Sequence, residues 1–68
     1  MVILYTTNCP KCRVLETKLN EKNITYTEET DLGVMQQKGF SMAPMLEVNG
    51  EIYDFSKAIQ WVKNYAEE

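Results

Sequence analysis

Apolar residues fall along the chain in short blocks of two different periods, and those blocks predict seven elements. Val2-Ile3-Leu4-Tyr5 is an unbroken run of β-forming residues, the pattern of a strand covered on both faces. Thr6-Thr7-Asn8 is polar. Pro10 suits the first turn of a helix, where its missing N–H would have had no partner, and Val14, Leu15 and Leu19 continue at helical spacing to about Lys22. Ile24-Thr25-Tyr26-Thr27-Glu28 alternates with period two, which predicts a half-exposed edge strand. Thr30 or Asp31 can cap a short helix carrying Leu32, Val34 and Met35 and ending at Gly39. Gly33 inside that helix is a weakness of roughly 1 kcal/mol.

Further on, Met45–Val48 and Glu51–Tyr53 flank Asn49-Gly50, a strong hairpin signal. A two-residue turn there pairs Val48 with Glu51 and Leu46 with Tyr53. Asp54 or Ser56 can cap a last helix bearing Ala58, Ile59, Trp61, Val62 and Tyr65, with Glu67-Glu68 as a frayed tail. The order is βαβαββα. A parallel pair joined by a crossover helix, then an antiparallel hairpin, predicts an α/β domain with a four-stranded mixed sheet flanked by three helices.

The chain has 68 residues, which is one domain, 1–68, with a thin core and no room for a large enclosed cavity. Any active site is expected on the surface. Ten acidic and seven basic residues give a net charge of −3, and the basic residues are scattered rather than clustered, so no nucleic-acid partner is expected. No apolar run approaches the roughly 20 residues of a membrane span, and Met1–Tyr5 is too short for a signal peptide. We expect a cytoplasmic monomer with no membrane partner. In that compartment a close cysteine pair is catalytic, redox-sensing or metal-binding rather than a structural cross-link.

The chemistry therefore concentrates on Cys9-Pro10-Lys11-Cys12, at a strand-to-helix junction. Spacing of three puts both sulfurs on one helix face. The first lies where unpaired N–H groups and the helix dipole favour a thiolate, aided by Lys11. Cys9 is then the nucleophile that attacks a substrate disulfide. Cys12, deeper and less acidic, resolves the mixed disulfide and leaves Cys9–Cys12 joined. A zinc site would need four ligands, and the chain has no histidine and no third cysteine, so neither metal nor cofactor is expected. A structural disulfide across three residues would remove little chain entropy. Met35, Met42 and Met45 read as core and rim filler; Met42 and Phe40 can instead form an apolar rim for a protein partner. Trp61 reads as packing. Tyr5 leads into the site loop, and either reach toward Cys9 or simple burial explains it.

These residues resemble a glutaredoxin. Cys9-Pro10-Lys11-Cys12 is similar to that family's Cys-Pro-aromatic-Cys site, with Lys11 in the aromatic position. Met42-Ala43-Pro44-Met45 resembles its Thr-Val-Pro segment, and Asn49-Gly50 its hairpin turn. The resemblance covers nearly the whole chain and implies a thioredoxin fold. It also implies a cis Pro44 facing the cysteines, with the Ala43 backbone free to pair with an extended substrate beside Cys9. Phe40, Met42, Ala43, Asp54 and Phe55 occupy the positions expected to meet substrate.

The departures bear on the electron source. The family's lysine before the first cysteine is missing from Thr6-Thr7-Asn8, and Asp54-Phe55-Ser56-Lys57 stands where Gly-Gly-Asp would hold glutathione. That pattern is similar to small redoxins that serve ribonucleotide reductase and are recharged by thioredoxin reductase, although their Trp-Ser-Gly-Phe-Arg-Pro stretch is absent. The expected substrate is a disulfide-bearing protein, ribonucleotide reductase among the candidates. The expected reductant is thioredoxin reductase, with glutathione as the alternative. A dimeric iron–sulfur module, which the family builds on Cys-Gly-aromatic-Ser sites, is disfavoured by Pro10 and Cys12.

Overall fold

The computed structural model describes residues 1–65; Glu67 and Glu68, expected as a frayed tail, lie outside them. The elements are β1 (Val2–Tyr5), α1 (Pro10–Glu21), β2 (Thr27–Glu29), α2 (Leu32–Gln37), β3 (Met45–Val48), β4 (Glu51–Tyr53) and α3 (Phe55–Lys63). The four strands form one mixed sheet in the order β2-β1-β3-β4. β1 runs parallel to β2 and antiparallel to β3, and β3–β4 is the hairpin, with Val48 opposite Glu51 and Leu46 opposite Tyr53. Asn49 and Gly50 both take positive φ, 50° and 90°, as a two-residue turn of this hand requires.

The core forms where α1 and α3 cover one face of the sheet. Leu4 and Leu46 are register partners on β1 and β3, and both are fully buried against Leu15, Leu19, Ile24, Ala58 and Val62. Alternation along the strands sends Tyr5 and Glu47 to the opposite face. There the Tyr5 hydroxyl donates to Glu47 Oε1 at 2.8 Å, and Lys38 Nζ meets the same oxygen at 3.2 Å. Burial, together with the hydrogen bond to Glu47, pushes the Tyr5 hydroxyl above its usual range, so it stays a proton donor at neutral pH. Hydrogen bonds from Tyr5 and Lys38 in turn hold the Glu47 carboxyl below the usual carboxylate range. This tie anchors the end of α2 against the two central strands.

The edge strand is shorter and later than alternation predicts, because α1 stops by a chain reversal that uses up the intervening residues. Asn23 is left-handed, φ 57°; its N–H bonds Asn20 O at 3.0 Å and the Ile24 N–H bonds Leu19 O at 3.0 Å. That paired closure swings Ile24 back into the core, leaving only Thr27–Glu29 to pair with β1. The same device ends α2: Gly39 has φ 80°, and Phe40 N–H bonds Met35 O at 2.9 Å. Asp31, rather than Thr30, caps α2, its Oδ1 accepting the Gly33 N–H at 2.7 Å. Gly33 accordingly serves the cap. A Cβ there would lie 3.1 Å from that Asp31 oxygen.

Leu46→Ala, which opens a hole beneath both helices, should cost about 2–5 kcal/mol in denaturant unfolding. Ile52→Ala, on the exposed side of β4, should cost about 0.5 kcal/mol or less. Equal losses at the two positions would contradict this placement of the core.

Candidate active site

Between β1 and α1 the chain crosses three polar residues, and each has a task. Thr6 is fully buried; its N–H donates to Glu29 O at 3.0 Å and its hydroxyl accepts the Asn8 N–H at 3.1 Å. Asn8 is left-handed, φ 62°, a conformation asparagine tolerates better than most residues. The turn delivers Cys9 in extended backbone, φ −77° and ψ 166°, as the residue capping α1. Its Sγ accepts the Cys12 N–H at 3.3 Å, the place a Ser or Asp oxygen ordinarily fills, and Pro10 follows in the first turn.

Cys9 and Cys12 are free thiols whose sulfurs lie 2.7 Å apart, so a bond of about 2.05 Å needs only a sub-ångström shift. Cys9 is partly exposed and Cys12 is fully buried. Beside them the Ala43–Pro44 peptide bond is cis, Pro44 is buried, and the Ala43 carbonyl oxygen faces Cys9 Sγ at 3.9 Å. Thr7 Oγ1 lies 4.0 Å from Cys12 Sγ.

Burial is the largest single influence on the Cys12 thiol and pushes it up. Hydrogen bonds from Cys9, the Thr6 side chain and the backbone of Thr7 and Cys9 together outweigh it and bring the thiol down to about 7. This differs from the expectation that the deeper cysteine is the less acidic one. The reason is that these hydrogen bonds, the one with Cys9 foremost, favour a Cys12 thiolate by more than burial disfavours it.

An open groove of about 330 Å³ runs along this site. The structure brings Phe40, Met42 and Ala43 to its wall together with Cys9, as the sequence expects, and adds Thr7 and Met35. Phe40 is held there by edge-on contact with Tyr5, ring centroids 4.9 Å apart. Three other expected contacts lie elsewhere. Asp54 caps α3, its Oδ1 accepting the Lys57 N–H at 2.9 Å. Phe55 opens α3 and packs against the core edge, and the Lys11 ammonium sits over its ring, 5.5 Å from the centroid. The groups acting on the Cys12 thiol are Cys9, Thr6 and Thr7. Tyr5 is engaged by Glu47 and belongs to the sheet face, not to the sulfurs.

Sequence reasoning passed over Leu32, Gln36 and Ser41, which also line the groove. The polar run 6–8 carried a usable signal, since a left-handed Asn before a helix-opening cysteine marks a built turn. Leu32 carried none, because its place on the groove depends on where α2 is set down. Among the described residues no helix is long and apolar enough to cross a membrane, and no three Cys, His, Asp or Glu side chains gather into a metal-sized cluster.

No protein-family model matches the chain, and no curated protein sequence does. Among solved structures it is similar to a Leishmania protein described as a unique trimeric glutathione transferase, with a TM-score of 0.74 over 96% of this chain. The fold is thioredoxin-like. Identity to that protein is 23%, and this chain spans 17% of its length, so the likeness speaks for the fold alone.

Two expectations follow. Thiolate absorbance at 240 nm in the reduced protein should show a step with a midpoint near 7 that is missing from Cys12→Ser, because a lowered thiol is ionised above that pH and protonated below it. A midpoint near 8.5, that of an ordinary thiol, would contradict the pairing of the sulfurs. Asp54→Ala should lower unfolding stability by about 1 kcal/mol while Asp54→Asn, which can still cap, restores most of it.

Proposed function

We propose that this chain is a dithiol thiol–disulfide oxidoreductase that reduces protein disulfides. The observation that carries the reading is the sulfur pair: 2.7 Å apart, the outer sulfur capping a helix, the inner one fully buried, beside an Ala43 carbonyl 3.9 Å from Cys9. Exposure assigns the order. Cys9 thiolate attacks one sulfur of the substrate disulfide and expels the other as a thiolate that takes up a proton. Cys12 then attacks Cys9 in the mixed disulfide, releasing the second substrate thiol. Two electrons pass to the substrate and Cys9–Cys12 is left oxidised. Ribonucleotide reductase is one candidate substrate, and a reducing compartment such as the cytoplasm fits the regeneration step.

Resemblance to glutaredoxins, and likeness in fold to a Leishmania glutathione transferase, give glutathione a place as alternative reductant. The site weighs toward thioredoxin reductase, because the lysine and Gly-Gly-Asp that would hold glutathione are replaced and Asp54 is used as a helix cap. Reference poises are about −270 mV for thioredoxin and about −200 to −230 mV for glutaredoxins. A gap of roughly 50 mV is about 2.3 kcal/mol for two electrons, enough to decide which pool drives the protein. A zinc or iron–sulfur module built across a dimer is the reading that Pro10 and Cys12 weigh against.

Insulin reduction should proceed faster with thioredoxin reductase and NADPH than with glutathione and its reductase. Efficient turnover by glutathione alone, with thioredoxin reductase inert, would transfer the protein to the glutaredoxin reading. Cys12→Ser should accumulate a mixed disulfide through Cys9 that thiol reagents release; failure to trap any disulfide substrate would contradict the assigned roles.

A further inference from the structure

We propose that Leu32 and Met42 are the jaws of a specificity filter, so that this protein reduces disulfides set in uncharged, apolar-flanked peptide segments and discriminates against acidic ones. The inference rests on the oxidoreductase reading and adds the substrate class. Leu32 and Met42 are each 61% exposed, large apolar side chains left in water, and both stand on the groove that contains Cys9. They come from separate segments: Leu32 opens α2, aimed by the Asp31 cap, and Met42 precedes the Ala43–Pro44 bond. Apolar groups gathered this way on a surface mark a binding site rather than core. Between them Met35, 5% exposed, and Phe40, pinned by Tyr5, supply an apolar floor.

Charge fixes the occupant. Apart from the Cys9 sulfur itself, no residue lining the groove is ionisable. The two lysines nearest to it in sequence are engaged elsewhere, Lys11 over the Phe55 ring and Lys38 on Glu47 at 3.2 Å. A carboxylate entering here would shed water and meet no cation, while the chain's net charge of −3 opposes its approach. An apolar side chain beside the substrate cysteine instead covers Leu32 and Met42 and removes their surface from water. Cys9 then lies at one side of the bound segment, with the Ala43 carbonyl available to a backbone N–H.

The test uses the full chain, reduced and freed of reductant, against two short peptide disulfides that differ only in the residues beside cysteine. One carries Leu and Val, the other Glu and Asp. Wild type should reduce the apolar peptide at least tenfold faster, read as the second-order rate constant of this single stoichiometric reaction. Leu32→Lys should bring that ratio down by about tenfold, chiefly by speeding the reaction with the acidic peptide, and Met42→Lys, on an exposed loop, should act in the same direction. A wild-type ratio near one, or a ratio unmoved by both lysines, overturns the filter. Hydroxyethyl disulfide, small and neutral, separates this failure from failure of the underlying reading. If wild type reduces it yet shows no peptide preference, the filter alone falls; if wild type cannot reduce it, the oxidoreductase reading falls and the filter with it.

Discussion

The hydrogen bond from the Cys12 N–H to the Cys9 sulfur holds the site together. In the proposed mechanism one atom serves as the cap of α1 and as the reactive group, so the helix could not begin elsewhere without dismantling that chemistry. Everything upstream serves to place that sulfur: β1 brings the chain up through the sheet, buried Thr6 ties it to Glu29, and left-handed Asn8 turns it into the helix. Downstream, α1 is locked over Leu4 and Leu46 by Leu15 and Leu19, so the core of a very small domain doubles as the mount for its reactive end.

A second brace works from the other face of the sheet. Tyr5, adjacent in sequence to Thr6, holds Glu47 by its hydroxyl and Phe40 by its ring edge, while Lys38 meets the same carboxylate. α2 is only six residues long, and this brace, with its Asp31 cap and its glycine closure, gives it a defined position. The groove wall follows from it. The two sides of the α1 start therefore differ in character. Toward α2 the surface is neutral and apolar; toward α3, Lys11 lies over the Phe55 ring and Asp54 caps the helix.

Where a local rule acted alone, the sequence was readable. The unbroken run Val2–Tyr5, the proline after Cys9, the Asn49-Gly50 turn and the spacing of Ala58 and Val62 each have one cheap solution, and the structure adopts it. Cys9, Cys12, Phe40, Met42 and Ala43 were legible for a related reason: the first pair from spacing at a helix start, the others from their proximity to Pro44. Reading failed where two uses competed for one residue. Ile24 alternates like a strand residue but is worth more in the core once Asn23 reverses the chain. Asp54 has a use that the resemblance did not supply, since its Oδ1 caps the open end of α3. The lowering of the Cys12 thiol was hidden because it comes from hydrogen bonds with Cys9, Thr6 and Thr7 that exist only in the fold.

The central claim is that Cys9 and Cys12 form one reversible two-electron couple. A redox titration in defined dithiol buffers, quenched by alkylation and read by intact and peptide mass, tests it most directly. The account predicts one transition with two electrons transferred, loss of two hydrogens from the monomer, and a single peptide joined through Cys9 and Cys12. Thiols that stay reduced across the range, or that oxidise only by joining two chains, would contradict it.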